Sequence, residues 1–411
     1  MPPFRPILAA LRYHKAGAVL IALQVALTLA VVCNALFVIE QRLQRLSRDT
    51  GIAESELMVV NNTWVAPAAE VPSRQAADVA MLRALPGVAD AYATNAFPLL
   101  GGSWQSGIRL DPMSKHFISD GASLYFVDDH ALHTLGVKIA EGRNFRPEEI
   151  GALAPNASAD SPTIIVTRTL AQRAFPDGHA LGKAIYIGNS DARPSTIIGI
   201  VDHVQTPETR SGEDIRWQDA IFVPLRITDN RAFFVIRAQP GRLPALLHSV
   251  PDALKALSSR RVIPQPHGVM PFTQVRDLAY RSDRGLAWML AGICVTLLVV
   301  TAAGIVGLTS FWVGQRRRQI GIRRALGATR GDILVYFLTE NGLISLAGAL
   351  VGVVLAFVLN AWMMQAFEAS RLSTLYVGCG VLILLLLGQL AVLSPARRAS
   401  RVPPVEATRT I

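Results

Sequence analysis

The chain has 411 residues, 51% hydrophobic and only 17% charged, a balance too apolar for an ordinary soluble protein. Its net charge of +10 would suit a nucleic-acid binder if it were spread over one surface. Residues 40–285, however, hold 26 Lys plus Arg against 26 Asp plus Glu, so the basic excess lies elsewhere and argues against nucleic acid as a partner.

Four apolar runs account for the composition: 16–39, 286–313, 333–364 and 375–393. At 1.5 Å per residue each is long enough to cross a hydrocarbon core of about 30 Å as a helix. The excess cations flank these runs. Arg5, Arg12 and Lys15 precede the first; Arg316, Arg317, Arg318, Arg323, Arg324 and Arg330 follow the second; Arg397, Arg398, Arg401 and Arg409 follow the fourth. Cytoplasmic loops concentrate Lys and Arg, so both termini, the 314–332 loop and the 394–411 tail are expected in the cytoplasm. Residues 41–285 and the short turn at 365–374 then lie outside.

The first run exceeds the 7–15 residues of a signal h-region and is not closed by an A-x-A site. Cys33 follows Val32, where a lipoprotein signal has a small residue. Residues 1–40 therefore read as a cytoplasmic segment and an uncleaved anchor. The three cysteines, Cys33, Cys294 and Cys379, all fall in apolar runs and read as small buried hydrophobes. No disulfide or cysteine metal site can form within 41–285.

In that region "QRLQRLSRD" from Gln41 continues the first helix beyond the apolar run. Short β-branched runs at 57–60, 163–166, 184–187, 195–201, 220–223 and 233–236 predict strands. "SRQAADVAMLRALPGV" predicts a helix capped by Ser73 and ended at Pro86–Gly87. "TRTLAQRAF" and "LPALLHSVPDALKAL" predict two more helices, and "GALAPNASADSP" (151–162) a loop. The region is expected to be a mixed α/β domain with its own core.

No feature of the region supports catalysis. "GGSWQSG" lacks the G-x-S-x-G spacing of a nucleophile elbow. "DDHALH" brings Asp128, Asp129, His130 and His133 together, but the sequence identifies no further ligand to complete a metal site. A solvated helix start explains the cluster better.

After the second run comes "RRRQIGIRRALGATRGDILVYFLTENG" (316–342). Ile322, Ala325 and Leu326 are spaced three and four apart and share a helix face. Gly327 can end that helix, and Thr329 with Asp332 forms a capping-box-like start for the next. The pattern predicts a helix, an elbow at Gly327–Ala328, and a second helix entering the third span. An anchor lying on lipid headgroups would need the arginines but not the glycines or the elbow. In the third span, Glu340 and Asn341 lie about two turns deep; Glu340 either faces the helix bundle or reaches the cytoplasmic interface. Gly348 and Gly352 form a G-x-x-x-G face for close helix packing, against a helix of the same chain or of a second copy. Gln24, Asn34 and Gln389 read as interhelical hydrogen-bond formers.

"QRRRQIGIRRALGATRGDI" resembles the R-x-x-E-I-G-I-R-x-A-L-G-A segment of the MacB/FtsX family of ABC transporter permeases, the mechanotransmission or type VII kind. "FVDDHALHTLGVKIAEGRNF", "IIVTRTLAQRAFPDGHALGKAIYI" and "TIIGIVDHVQ" resemble consecutive blocks of that family's periplasmic core domain. The likeness covers nearly the whole chain. It departs at Gln319, where many members carry Glu, so a salt bridge made by that Glu cannot form here.

The resemblance implies an α-helical membrane protein with four transmembrane helices and a large mixed α/β periplasmic domain inserted between the first and second. It implies a multi-pass protein of the bacterial inner membrane, working with an ABC-type ATPase and a second permease copy or homologue; a periplasmic adaptor stays open. The segment Ile320, Gly321, Ile322, Arg323, Arg324, Ala325, Leu326, Gly327 and Ala328 would contact the ATPase. The chain has no G-x-x-x-x-G-K-[ST] loop, and "GHALGKA" has neither the glycine spacing nor a Ser or Thr after Lys183. ATP and Mg are therefore expected on a separate subunit, and no cofactor on this chain. The family's activities imply export of a peptide, antibiotic or lipid-like substrate, FtsX-like force transmission to a cell-wall hydrolase, or lipoprotein extraction. A membrane-anchored ligand sensor is the reading from a different class.

Overall fold

The computed structural model describes residues 15–153, 159, 161–188, 192–209, 217–367 and 371–401. These form two compact units: one from the chain up to Ser47 together with Ser282 onward, the other from Arg48 to Arg281.

The first unit is helical. Among the described residues four helices are long and apolar enough to cross a membrane. They are α1 (Lys15–Leu46), which carries the first run on through "QRLQRL", α7 (Arg281–Gln315), α9 (Arg330–Phe367) and α10 (Thr374–Ser400). The short α8 (Arg317–Ala325) lies between α7 and α9. Small residues set the packing. A Cβ on Gly348 would lie 2.5 Å from the Ala22 carbonyl oxygen, and one on Gly352 2.9 Å from that of Ala26. The G-x-x-x-G face thus packs on α1 of the same chain. Polar side chains bridge the helices between these contacts. Thr28 and Thr301 hydroxyls meet at 2.8 Å, Gln24 Nε2 donates to the Val300 carbonyl at 3.1 Å, and Asn34 Nδ2 donates to that of Ala356 at 3.1 Å. Gln389 lies beside Gly342, its Nε2 3.0 Å from where a Cβ would be. With no hydrophobic driving force between helices in lipid, such close backbone approach and hydrogen bonding hold a bundle together. Arg42 and Asp283 close the α1–α7 pair beyond the apolar runs at 2.6 Å.

The second unit is mixed α/β. Its elements in chain order are β1 (Leu57–Trp64), α2 (Val71–Ala84), β2 (Val88–Thr94), β3 (Trp104–Arg109), β4 (Ser119–Phe126), α3 (Ala131–Leu135), β5 (Ile139–Gly142) and β6 (Gly151–Ala152). There follow β7 (Thr163–Thr167), α4 (Arg168–Ala174), β8 (Ala184–Ile187), β9 (Pro194–Val201), β10 (Ala220–Val223), β11 (Leu225–Arg226) and β12 (Arg231–Ala238). The last are α5 (Leu243–Leu257), β13 (Arg261–Val262), β14 (Val269–Pro271) and α6 (Phe272–Ala279). One antiparallel sheet has the order β13–β1–β12–β2, with β14 also on β1. Its buried Met58, Val60, Phe234 and Ile236 share a core with Val79 and Leu82 of α2 and Leu246, Val250 and Leu254 of α5. The second sheet runs β5–β9–β7–β10–β4–β3–β8, and β8 pairs back onto β9, so six of the seven strands close into a ring with β5 outside it on β9. A buried ion pair locks the first sheet to α2: Arg261 donates to Asp78 at 3.0 and 2.7 Å, and the Trp64 indole N–H reaches the same carboxylate at 2.8 Å.

All six runs read as strands are strands, and the three helical patterns are helices. The Ser73 cap is corrected. Helix α2 starts two residues earlier at Val71, since Pro72 fits a first turn, and the Ser73 hydroxyl donates to the Glu70 carbonyl at 2.9 Å. In the loop read at 151–162, Gly151–Ala152 pairs as β6 with β11; residues 154–158 and 160 of that loop, Arg5, Arg12 and Arg409 lie outside the described residues.

Candidate coupling site at the Gly327 elbow

Helix α8 closes with its C-terminal carbonyls satisfied. The Ala328 N–H donates to the Arg323 carbonyl at 3.0 Å and the Gly327 N–H to that of Arg324 at 3.2 Å, while Gly327 takes φ = +100°. This is a Schellman closure with glycine in the left-handed position, where a side chain would be strained. One residue on, Thr329 caps α9. The Asp332 N–H donates to Thr329 Oγ1 at 3.2 Å, and the Thr329 N–H to Asp332 Oδ2 at 2.9 Å. Stop and start signals two residues apart leave the chain one route, the elbow expected from the sequence.

The two faces of the elbow differ. Ile320 is buried with Trp312, Val313, Ile333, Phe337 and Ala399, and Gly321 is buried beside it. Arg324 Nη1 donates to the Ser400 carbonyl at 2.5 Å, tying α8 to the end of α10, and the Arg323 guanidinium stacks over Tyr336 at 4.9 Å. On the other face Ile322 is 45% exposed, Leu326 82% exposed, and Ala325 and Gly327 are exposed too. Apolar side chains so open, on an element so firmly held from behind, form an exposed apolar patch at the elbow. Gln319 is exposed among them.

Behind the elbow, Glu340 faces the bundle. Arg316 Nη1 lies 3.1 Å from both carboxylate oxygens of Glu340, and the Asn341 amide donates to the Gly388 carbonyl at 3.1 Å. The sequence had counted Arg316 only as a topology charge. The signal was present: a lone carboxylate two turns inside an apolar helix needs a cation within reach.

In the α/β unit the DDHALH cluster has another organiser. Asp90 of β2 accepts from His130 Nδ1 at 3.0 Å and His133 Nδ1 at 2.8 Å, and Arg83 bridges to Asp128 at 2.8 Å. Burial pushes Asp90 up, but the His133, His130 and Ala91 hydrogen bonds outweigh it and leave the carboxyl below its usual range. Burial raises Asp128 despite Arg83. Among the described residues no group of three or more His, Cys, Asp or Glu side chains is arranged to hold a metal.

Residues 19–250 match the family model described as the MacB-like periplasmic core domain, and residues 291–404 the FtsX-like permease C-terminal. The chain belongs to the MacB/FtsX family of ABC transporter permeases. It is a multi-pass membrane protein, and both matched regions are permease domains. A macrolide export ATP-binding/permease protein MacB from Chromobacterium violaceum is 29% identical over 70% of this chain and 43% of its own length. An uncharacterized ABC transporter permease, YvrN, from Bacillus subtilis is 24% identical over 74% of this chain and 77% of its own. The periplasmic region of MacB from Actinobacillus actinomycetemcomitans aligns with 57% of this chain and 97% of its own at 13% identity, TM-score 0.35. The chain spans about half the length of the curated MacB-type relatives it matches.

Proposed function

We propose that this chain is the membrane subunit of an inner-membrane export machine, with Arg48–Arg281 on the periplasmic side and both ends cytoplasmic. A separate ABC ATPase binds the exposed Ile322–Ala325–Leu326 face. ATP and Mg are held on that ATPase, and its closure pushes the elbow. Because α8 is bolted to α9 and α10 through Ile320 and Arg324, the push moves the membrane helices as a body and reshapes the periplasmic unit. A second permease copy or a homologue completes the assembly. The observation that carries this reading is the contrast between an apolar outer face left open and an inner face packed through Ile320 and Gly321. The names of the MacB relatives favour a macrolide-like substrate.

The test is to extract the tagged protein from its native membrane in mild detergent and identify what stays bound. An ABC ATPase that co-purifies with the wild type and is lost from Ala325→Glu, with the variant still membrane-inserted, supports the site. Full retention in Ala325→Glu removes the coupling role from this face. Absence of any ATPase, even after crosslinking through Ala328→Cys, leaves the machine without a motor and favours a ligand sensor.

A further inference from the structure

The α/β unit contains a cleft of about 840 Å³, within the range of small-molecule sites. Val59 and Asn61 of β1 and Phe233 of β12 line it from the first sheet, Trp104 of β3 and Phe126 of β4 from the second, with Met270 of β14. Alternation along β1 turns Met58 and Val60 toward the helices and leaves Val59 and Asn61 for the cleft. The Trp104 and Phe126 rings meet edge-on at 5.2 Å, yet Trp104 stays 51% exposed, a large aromatic surface with nothing laid over it.

Two further features mark the cleft as built. The loop 97–103 supplies part of its wall, and within it Leu99 sits at φ = +65°, a conformation that side chains resist. The strain is held in place by the Leu99 N–H on the Thr206 carbonyl at 3.3 Å, the Gly101 N–H on that of Pro207 at 2.9 Å, and the Gly102 N–H on Glu208 Oε1 at 2.8 Å. Gly101 and Gly102 would meet no atom within 4 Å if they carried a Cβ, so the wall is left bare toward open space. Second, Asn61 Oδ1 is sealed from solvent and has no hydrogen-bond partner. Buried polar atoms without partners are few in native proteins and call for an explanation. At the rim Asp229 and Arg231 carry opposite charges, which cancel and favour no ionic ligand.

We propose that this cleft binds an uncharged, aromatic-bodied small molecule bearing a hydroxyl or amide N–H donor. Trp104 and Phe233 enclose the body, and the Asn61 amide turns over to bring its buried, unpartnered Oδ1 to the cleft and accept the donor. The site lies wholly within one unit and stands whether or not the elbow binds an ATPase.

The experiment uses the full chain in lipid nanodiscs with two photoprobes, 4-(hydroxymethyl)benzophenone and benzophenone. On irradiation either probe abstracts a hydrogen from a nearby C–H and joins the carbon left behind; Met270 is a favourable acceptor. Adducts are mapped by mass spectrometry. The expected result is saturable labelling of Met270 and the flanking cleft strands, with the hydroxylated probe preferred by roughly fivefold, the scale of one hydrogen bond. Asn61→Leu removes that preference while benzophenone still labels the cleft, which shows that the variant is folded. Trp104→Ala weakens both probes. Labelling confined to the lipid-embedded helices, labelling that never saturates, or an unchanged preference in Asn61→Leu overturns the proposal.

Discussion

Arg316 and Glu340 meet inside the helical unit, with one guanidinium nitrogen 3.1 Å from each carboxylate oxygen and only 10% and 4% of the two side chains exposed. The pair joins the turn after α7 to the third turn of α9, across the elbow itself. Removing one member of a buried pair leaves the other charge stranded, at a cost of about 3–5 kcal/mol, whereas replacing both by apolar groups is often close to neutral. Glu340→Gln is therefore expected to lower the unfolding free energy in nanodiscs by about 3 kcal/mol, and Arg316→Met/Glu340→Met to recover most of the loss. Additive single effects in the double variant would show that the two side chains do not interact.

The α1–α9 contact gives a second prediction, because its tolerance differs from one glycine to the next. Gly348 has the Ala22 carbonyl oxygen 2.5 Å from a would-be Cβ, while Gly378 of α10 has nothing within 4 Å. Gly348→Ala must push two backbones apart and is expected to cost about 1–3 kcal/mol. Gly378→Ala fits open space and should be neutral or slightly stabilising, since alanine is the better helix former. Equal melting temperatures for the two variants would rule out the contact.

How much of this was legible in the sequence follows from the range of each interaction. The elbow was readable because its signals are local: Gly327, Thr329 and Asp332 act on their own backbone within three residues. The same holds for the β-branched runs that became β7 and β9. Strands β2 (VADAYAT) and β4 (SDGASLYF) were not anticipated, because Ala, Asp, Ser and Gly have weak strand preference and neighbouring strands impose their conformation. The partners of Gly348, Arg316 and His130 lie far along the chain, on α1, α9 and β2, and no local pattern names them. The cleft belongs to the same class. It exists only once Asn61, Trp104 and Phe233 have been brought together by two sheets.

At the elbow itself, the Thr329–Asp332 cap should separate fold from coupling. Thr329→Ala removes the side-chain acceptor for the Asp332 N–H and is expected to destabilise the start of α9 by about 1 kcal/mol. Leu326→Glu touches nothing that the fold uses, since Leu326 is 82% exposed, and should leave the melting temperature unchanged. With the ATPase proposed above bound to this face, Leu326→Glu is expected to reduce stimulated hydrolysis at least tenfold, about 1.4 kcal/mol of coupling, and Thr329→Ala less. A fully active Leu326→Glu would remove the proposed coupling role from this face.

Acid should expose one further interaction in the α/β unit. Arg143 donates to both oxygens of Glu149 at 2.7 Å, and the Arg146 N–H adds a third bond at 2.8 Å. The Arg143 hydrogen bonds, with help from that backbone N–H and against some burial, pull the Glu149 carboxyl down to about 2. An unfolded glutamate titrates at about 4.3. Between those values the unfolded chain holds the proton and the folded one does not, so stability rises with pH there. The contribution of Glu149 is thus complete above the unfolded value and is lost as pH falls toward about 2. Glu149→Gln should melt below the wild type at pH 6, by a small margin because the pair is solvent-screened. The gap should narrow on acidification and close near pH 2. A gap that stays constant from pH 6 to pH 2 in paired melting curves would assign the loss to packing instead of charge.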